Sequence, residues 1–301
     1  MSPQQSLLVV LLAPAVIAQL CTLQFDGRIP LDFAVDDFDA ANDFFASDNV
    51  LGQGLAFSGL VQLPGGASLF DAASAPLTIT ISDDSIFAPS ADNVQTGFRR
   101  AELLPASNDG SDDSTLGVKT LHFSLMKDDA RALNLSHEYQ LVFLEDAAFS
   151  TNQFVLKTGT ILGVDTPDPD LLQLFGNVND GELLFSTPFT AGVFHNFALT
   201  LDFDALYVLP PPSTWSPEAN KFRTTQVFYS QDADPLEQQT EALANDVSGQ
   251  GQFHFGVLKK PTDSAGDITK DGFQEAGIDE GIIFGGVFQE DSSDGCVSLE
   301  P

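Results

Sequence analysis

Short runs of alternating apolar and polar residues, separated by Gly, Pro, Asn and Asp, constrain this chain more than any other feature. Residues 77–82 (LTITIS), 119–125 (KTLHFSL), 139–144 (YQLVFL), 153–158 (QFVLKT), 194–203 (FHNFALTLDF), 225–229 (TQVFY), 252–258 (QFHFGVL) and 281–289 (GIIFGGVFQ) all read this way. A period of two puts one face of each run against a core and the other toward water, which is the pattern of a strand. Helical spacing is convincing only around 235–244 and weak at 37–45. The expected fold is therefore all-β: one antiparallel jelly roll or sandwich with an open cleft on its concave sheet. The 26 Phe, against 3 Tyr and 1 Trp, suit such a core, because flat apolar rings pack well between pleated surfaces. No repeat and no linker marks off a second module within 19–301.

Charge narrows the partners. With 12 Lys+Arg against 43 Asp+Glu, the net charge is −31. Phosphate backbones and anionic lipid surfaces are repelled by such a field. Nucleic acid and membranes are thus excluded as expected partners, and a neutral polymer or small neutral ligand is favoured, bound by a monomer. Residues 7–18 (LLVVLLAPAVIA) read as the apolar core of a signal peptide cleaved near Ala18, although no Lys or Arg precedes them. The other reading is a buried N-terminal element. Later apolar runs are too short to span a bilayer. A secreted chain meets oxidising conditions, so Cys21 and Cys296, at opposite ends of the mature part, read as one disulfide. Asn134-Leu135-Ser136 is the single N-x-S/T sequon, consistent with an exposed, glycosylated loop.

Residues 205–223 (ALYVLPPPSTWSPEANKFR) break the strand rhythm with a Pro triplet and the only Trp. Without them, LTLDFD would join TTQVFYS as a plausible hairpin. The segment reads as a surface insertion or as a translated intron in the gene model.

Three blocks carry side chains suited to chemistry. In GFRRAELLP (97–105), Arg100 and Glu102 share a strand face, so a cation would hold the carboxylate ionised; the plainer alternative is a structural ion pair. In SHEYQLVFLE (136–145), Glu138 and Gln140 share a face, opposite His137, Tyr139 and Glu145. Glycosidic hydrolysis needs one protonated and one ionised carboxyl group, and Glu102 with Glu138 is a possible pair, though 43 acidic residues make that argument unspecific. In GQGQFHFGVLKKP (249–261), His254 is placed to tune a carboxylate or bind a sugar hydroxyl, or is simply structural. Lys157 is expected to face the cleft, Lys259 and Lys260 to be solvated, and His122 and His195 to be structural. Asp165, Asp168 and Asp170 could ligate a structural calcium through hard oxygens, but they lack the calcium-loop spacing and read more readily as a turn, so no metal and no cofactor are expected. Nucleotide-binding, zincin and serine-hydrolase motifs do not occur.

The blocks CTLQFDGRIP (21–30), QTGFRRAELLPAS (95–107), LNLSHEYQLVFLE (133–145), STNQFVLKTGT (150–160), LFSTPFTAGVFHNFALTLDFD (184–204), DVSGQGQFHFGVLKKPT (246–262) and GDITKDGFQEAGIDEGIIFGGVF (266–288) resemble glycoside hydrolase family 131. The resemblance implies a secreted fungal β-glucanase with a jelly-roll fold, acting on β-1,3, β-1,4 or β-1,6 linkages with inversion. It puts the acidic pair on Glu102 and Glu138 and a further cleft residue on His254; Arg100, Gln140 and Lys157, from the strand faces themselves, are the expected substrate-binding neighbours. The chain departs from the family at Phe194, where Trp-His is more usual, and at 205–223. A cellulose-binding module is not seen, so weak affinity for crystalline surfaces is expected. Two rivals remain: a glucan-binding lectin on the same fold, and a polysaccharide lyase using Arg100, His254 and Tyr139.

Overall fold

A computed structural model describes residues 21–40, 42–46, 50–106, 112–204 and 223–300. Two antiparallel sheets pack face to face. The six-stranded sheet runs, edge to edge, β11 (Leu183–Pro188), β10 (Leu171–Phe175), β9 (Asn152–Gly159), β8 (Glu138–Glu145), β16 (Gln252–Lys259) and β6 (Arg99–Leu103). The nine-stranded sheet runs β14 (Glu237–Gln238), β13 (Thr224–Gln231), β12 (His195–Asp202), β7 (Val118–Lys127), β17 (Asp279–Asp291), β5 (Leu77–Ser82) and β3 (Val61–Gln62). Its path is completed by β1 (Leu23–Asp26) on β17 and β15 (Leu243–Ala244) on β13. β2 (Ile29–Pro30) and β4 (Ser74–Ala75) form a separate ribbon. Consecutive strands pair in β8–β11 and β12–β14, but β16 inserts between β8 and β6 and β17 between β7 and β5, crossovers of the jelly-roll kind.

The core lies where the alternation directs it. Leu121, Phe123 and Leu125 of β7 and Phe197, Leu199 and Leu201 of β12 face Phe253, Phe255 and Val257 of β16 and Leu141 and Leu144 of β8, all fully or nearly fully buried. Phe123 stacks on Phe197 at 5.2 Å within its sheet and meets Phe255 of the other at 6.3 Å. A bulge in β8 breaks its alternation: the partners of β9 shift between Gln140 and Val142. Leu141 and Val142 therefore both join the core, and Phe143 and Glu145 swing to the opposite face.

The disulfide Cys21–Cys296 is present, with Cα atoms 5.7 Å apart. His122 and His195 are buried structural residues, as expected: His122 Nε2 lies 2.9 Å from Glu290 Oε2, and His195 Nδ1 lies 2.7 Å from the Tyr229 hydroxyl. Phe194 is likewise a buried packing residue. The helical expectations fail. Residues 235–244 contribute only the two-residue strands β14 and β15, and the start of 37–45 is a single 3-10 turn, Val35–Asp39. Apolar spacing over so short a window cannot separate one helical turn from a strand edge. β12 and β13 pair without a break from His195↔Gln231 to Asp202↔Thr224, the hairpin that the sequence suggests on either side of residues 205–222. That segment and the 7–18 run lie outside the described residues.

Candidate functional site

The face of the six-stranded sheet turned away from the core carries the chemistry. On the edge strand β6, Arg100 and Glu102 alternate onto this face, as the sequence predicts, while Ala101 and Leu103 point inward. Arg100 grips Glu102 through both carboxylate oxygens: Nε donates to Oε1 at 2.7 Å and Nη2 to Oε2 at 2.6 Å. Glu102 pairs with Gly256 across β16, and two residues earlier His254 reaches the same carboxylate, Nδ1 lying 2.8 Å from Oε2. The His254 ring stacks on Phe143 at 4.4 Å, and its Nε2 faces Glu145 Oε2 at 3.4 Å, too poorly directed for a hydrogen bond.

Glu138 opens β8 on the same face. Its Oε1 receives Lys260 Nζ at 2.7 Å, Lys157 Nζ at 3.1 Å and Gln140 Nε2 at 3.2 Å, and its Oε2 accepts the Leu162 backbone N–H at 2.9 Å. Gln140 pairs with Lys157 of β9 and with Leu258 of β16, which in turn opposes Arg100. All six sequence candidates thus share one face, in two groups: Arg100, Glu102 and His254 around one carboxylate, and Lys157 and Gln140 around the other. The carboxylates lie beneath the surface of that face, with Glu102 0% and Glu138 1% exposed. Lys157, half-buried beside the Phe175 ring at 5.1 Å, is its more accessible member.

Both glutamates are held ionised. Burial alone would raise Glu102; the charge of Arg100 and the bonds from His254 and Arg100 outweigh it and bring the carboxyl down to about 2. Burial opposes ionisation of Glu138 too, and the charges of Lys260 and Lys157 overcome it, so its pKa is also lowered. His254 moves the other way: burial works against its cation, but the bond to Glu102 prevails and raises its pKa. Lys157 is lowered, by burial first and by the neighbouring Lys260.

One expectation is overturned. Lys259 and Lys260 are not solvated: Lys259 is fully buried, with Nζ 2.6 Å from Glu275 Oε1 and 2.7 Å from Glu280 Oε1, and Lys260 is the main cation on Glu138. Adjacent strand residues face opposite sides of the sheet, so each lysine meets a different set of carboxylates. Lys260 belonged to the Gly256, Leu258 alternation and was recoverable from it. Glu145 was not, because only the bulge brings it to the polar face. Tyr139 faces inward and donates to Glu280 Oε2 at 2.7 Å. Asn134 is exposed, its Nδ2 donating to Glu275 at 2.7 Å and its Oδ1 accepting from Ser136. Asp168 Oδ1 caps the Asp170 N–H in a turn. Among the described residues, no three His, Cys, Asp or Glu side chains are arranged to hold a metal ion.

Comparison with known proteins bears on the fold and the family. The catalytic domain of a glycoside hydrolase family 131 β-glucanase from Podospora anserina superposes with a TM-score of 0.68 at 22% identity, covering 93% of this chain and 98% of that one. The catalytic domain of the family 131 protein from Coprinopsis cinerea gives 0.64 at 20% identity, with coverage of 93% and 98%. At such identities the likeness is one of fold. No curated protein matches the sequence. The model of the glycoside hydrolase 131 catalytic N-terminal domain, however, matches residues 23–295, nearly everything from the first strand to the disulfide. A jelly roll carrying two buried, ion-paired glutamates on its polar sheet face, matched over that length, belongs to glycoside hydrolase family 131 and is a glycoside hydrolase.

Proposed function

We propose that this protein is a secreted β-glucanase that hydrolyses its substrate with inversion on the polar face of the six-stranded sheet, with Glu138 as general base and the Glu102–His254 pair as the source of the proton. One observation carries the reading: two carboxylates on one sheet face, each desolvated and each fixed by its own cations. Glu102 and Glu138 stand two strands and four residues apart by register, about 16 Å at the backbone. Even side chains leaning fully toward each other would leave more than the roughly 5–5.5 Å of a retaining pair, so the spacing speaks against retention and leaves room between the carboxyl groups for a water and a sugar.

The roles follow from the titration of each group. A base must be ionised, and Glu138 is, under two ammonium groups. An acid needs an available proton, which neither carboxyl holds alone; His254, with its raised pKa, brings one to Oε2 of Glu102. Water attacks the anomeric carbon and loses a proton to Glu138, while the leaving oxygen takes the proton shared by His254 and Glu102. Arg100, Gln140 and Lys157 line the approach. Secretion is consistent with the disulfide and with the apolar 7–18 run.

The test is turnover on laminarin, lichenan and cellulose by Glu102→Gln and Glu138→Gln. Each is expected to fall by about 10²–10⁴-fold, and the first-formed anomer, followed by NMR, to be inverted. Near-native activity in either variant removes that residue from the mechanism. Binding of laminarin without any release of reducing sugar would favour a lectin. The lyase alternative lacks its tyrosine, because Tyr139 points into the core with its pKa raised by burial and by Glu280.

A further inference from the structure

A groove of about 660 Å³ runs along the flank of the sandwich, and its lining shares no residue with the surroundings of either glutamate. It lies where the sheets end side by side: β11 closes the six-stranded sheet, β13 and β14 the nine-stranded one. Thr187 comes from β11, Tyr229 and Gln231 from β13, Glu237 from β14, and Asp234 and Gln239 from the turns beside it. β11 is three strands from β8, about 14 Å, and the groove opens at the sheet edge and not on the polar face.

We infer that this groove is a second carbohydrate-binding site that holds a segment of the neutral β-glucan polymer while the glutamate face works on another. The inference rests on the β-glucan reading above. Its volume lies within the range of small-molecule sites, but its lining of amides, hydroxyls and carboxylates is far more polar than theirs. Such groups suit a ligand that offers hydroxyls in every direction. Charge disfavours anionic ligands: among the described residues no Lys or Arg lines it, and Asp234 and Glu237 repel polyanions.

The aromatic member is built in. Tyr229 is half-buried, its ring backed by Phe197 at 5.2 Å and Phe185 at 5.4 Å and its hydroxyl fixed on His195 Nδ1 at 2.7 Å. A ring held in place loses little freedom when a sugar packs on it. Gln231, Asp234, Glu237 and Gln239 surround it, the last three exposed. The outer edge of β11 pairs with no strand among the described residues and offers further backbone donors and acceptors.

The experiment uses two variants of the full chain, the triple Gln231→Ala/Glu237→Ala/Gln239→Ala and the single Glu237→Lys, all at partly or fully exposed positions. Depletion from solution by insoluble β-1,3-glucan particles reads binding; hydrolysis of short soluble β-1,3-gluco-oligosaccharides reads the glutamate face. Binding by the triple variant is expected to weaken at least fivefold, and by Glu237→Lys in the same direction, with kcat/KM on the short substrates within twofold of the parent. Isotherms that superimpose on the parent's overturn the groove while leaving the hydrolytic reading intact. Weakened binding in a protein whose parent hydrolyses no β-glucan supports the groove and overturns that reading instead. An equal loss of short-substrate turnover in both variants also overturns the groove as a separate site.

Discussion

Arg100 is the residue on which the ionised state of Glu102 most depends, and its removal separates electrostatics from packing. Arg100→Ala would leave a fully buried carboxylate with His254 as its remaining partner. Breaking a buried pair by deleting one member costs about 3–5 kcal/mol, so denaturant midpoints should fall by a corresponding amount. A second prediction concerns Lys260. Lys260→Met removes the principal charge that lowers Glu138, so the Glu138 pKa should rise and the acidic limb of the kcat/KM profile should move to higher pH. An unmoved limb would mean that Glu138 is not the base. At this scale the sequence was informative wherever alternation held: Arg100 with Glu102 and Glu138 with Gln140 were readable as same-face pairs. Which charges meet across strands was not readable, since the partners of Glu138 come from positions 157 and 260.

The elements depend on a few backbone positions that only a glycine allows. Gly256 sits where β16 passes β6 so closely that an added Cβ would lie 2.1 Å from the Ala101 carbonyl oxygen and 2.6 Å from the Glu102 Cα. Gly256→Ala must push the strands apart, and a loss of about 1–3 kcal/mol in stability is expected from such overpacking. Because the displaced strand carries Glu102, turnover should fall with it, and by more than in a core variant of equal stability that lies away from the polar face. Strands with sustained alternation, such as β5, β7 and β12, were legible to within a few residues. β10 and β11 were missed: β10 reads LLQLF with no regular alternation and β11 ends in Pro188. The bulge in β8 was also invisible, because a shift of register depends on the neighbouring strand and leaves no mark in composition.

For the whole molecule, acid should be the main destabilising condition. Glu102 ordinarily titrates at 4.5 and is held at about 2 in the fold, so its contribution is complete above 4.5 and is lost as pH falls toward 2. Glu138 acts in the same direction. His254, raised above its ordinary 6.5, adds stability below that value and loses it as pH climbs through the raised one. His122 and His195, lowered by burial, act like the carboxylates and lose stability as pH falls below 6.5. Thermal unfolding should therefore show a steep loss below about pH 4.5, and stability unchanged down to about pH 3 would contradict the pairings described here. The disulfide ties residues 275 apart in sequence. A Cys21→Ser/Cys296→Ser protein should lose up to about 5 kcal/mol, measured by denaturant unfolding under oxidising conditions.

The chain's own pattern determined that it would form antiparallel sheets around a phenylalanine core, that its termini would be joined by a disulfide, and that two glutamates would lie on a polar strand face. Those properties follow from a period of two and from side-chain type, which are local. Only the tertiary structure decided that Lys260 pairs with Glu138, that Glu145 turns to the same face, and that the sheet edges leave a polar groove between them. Each of these depends on register, bulges and strand order, which are set by contacts between segments far apart in the sequence.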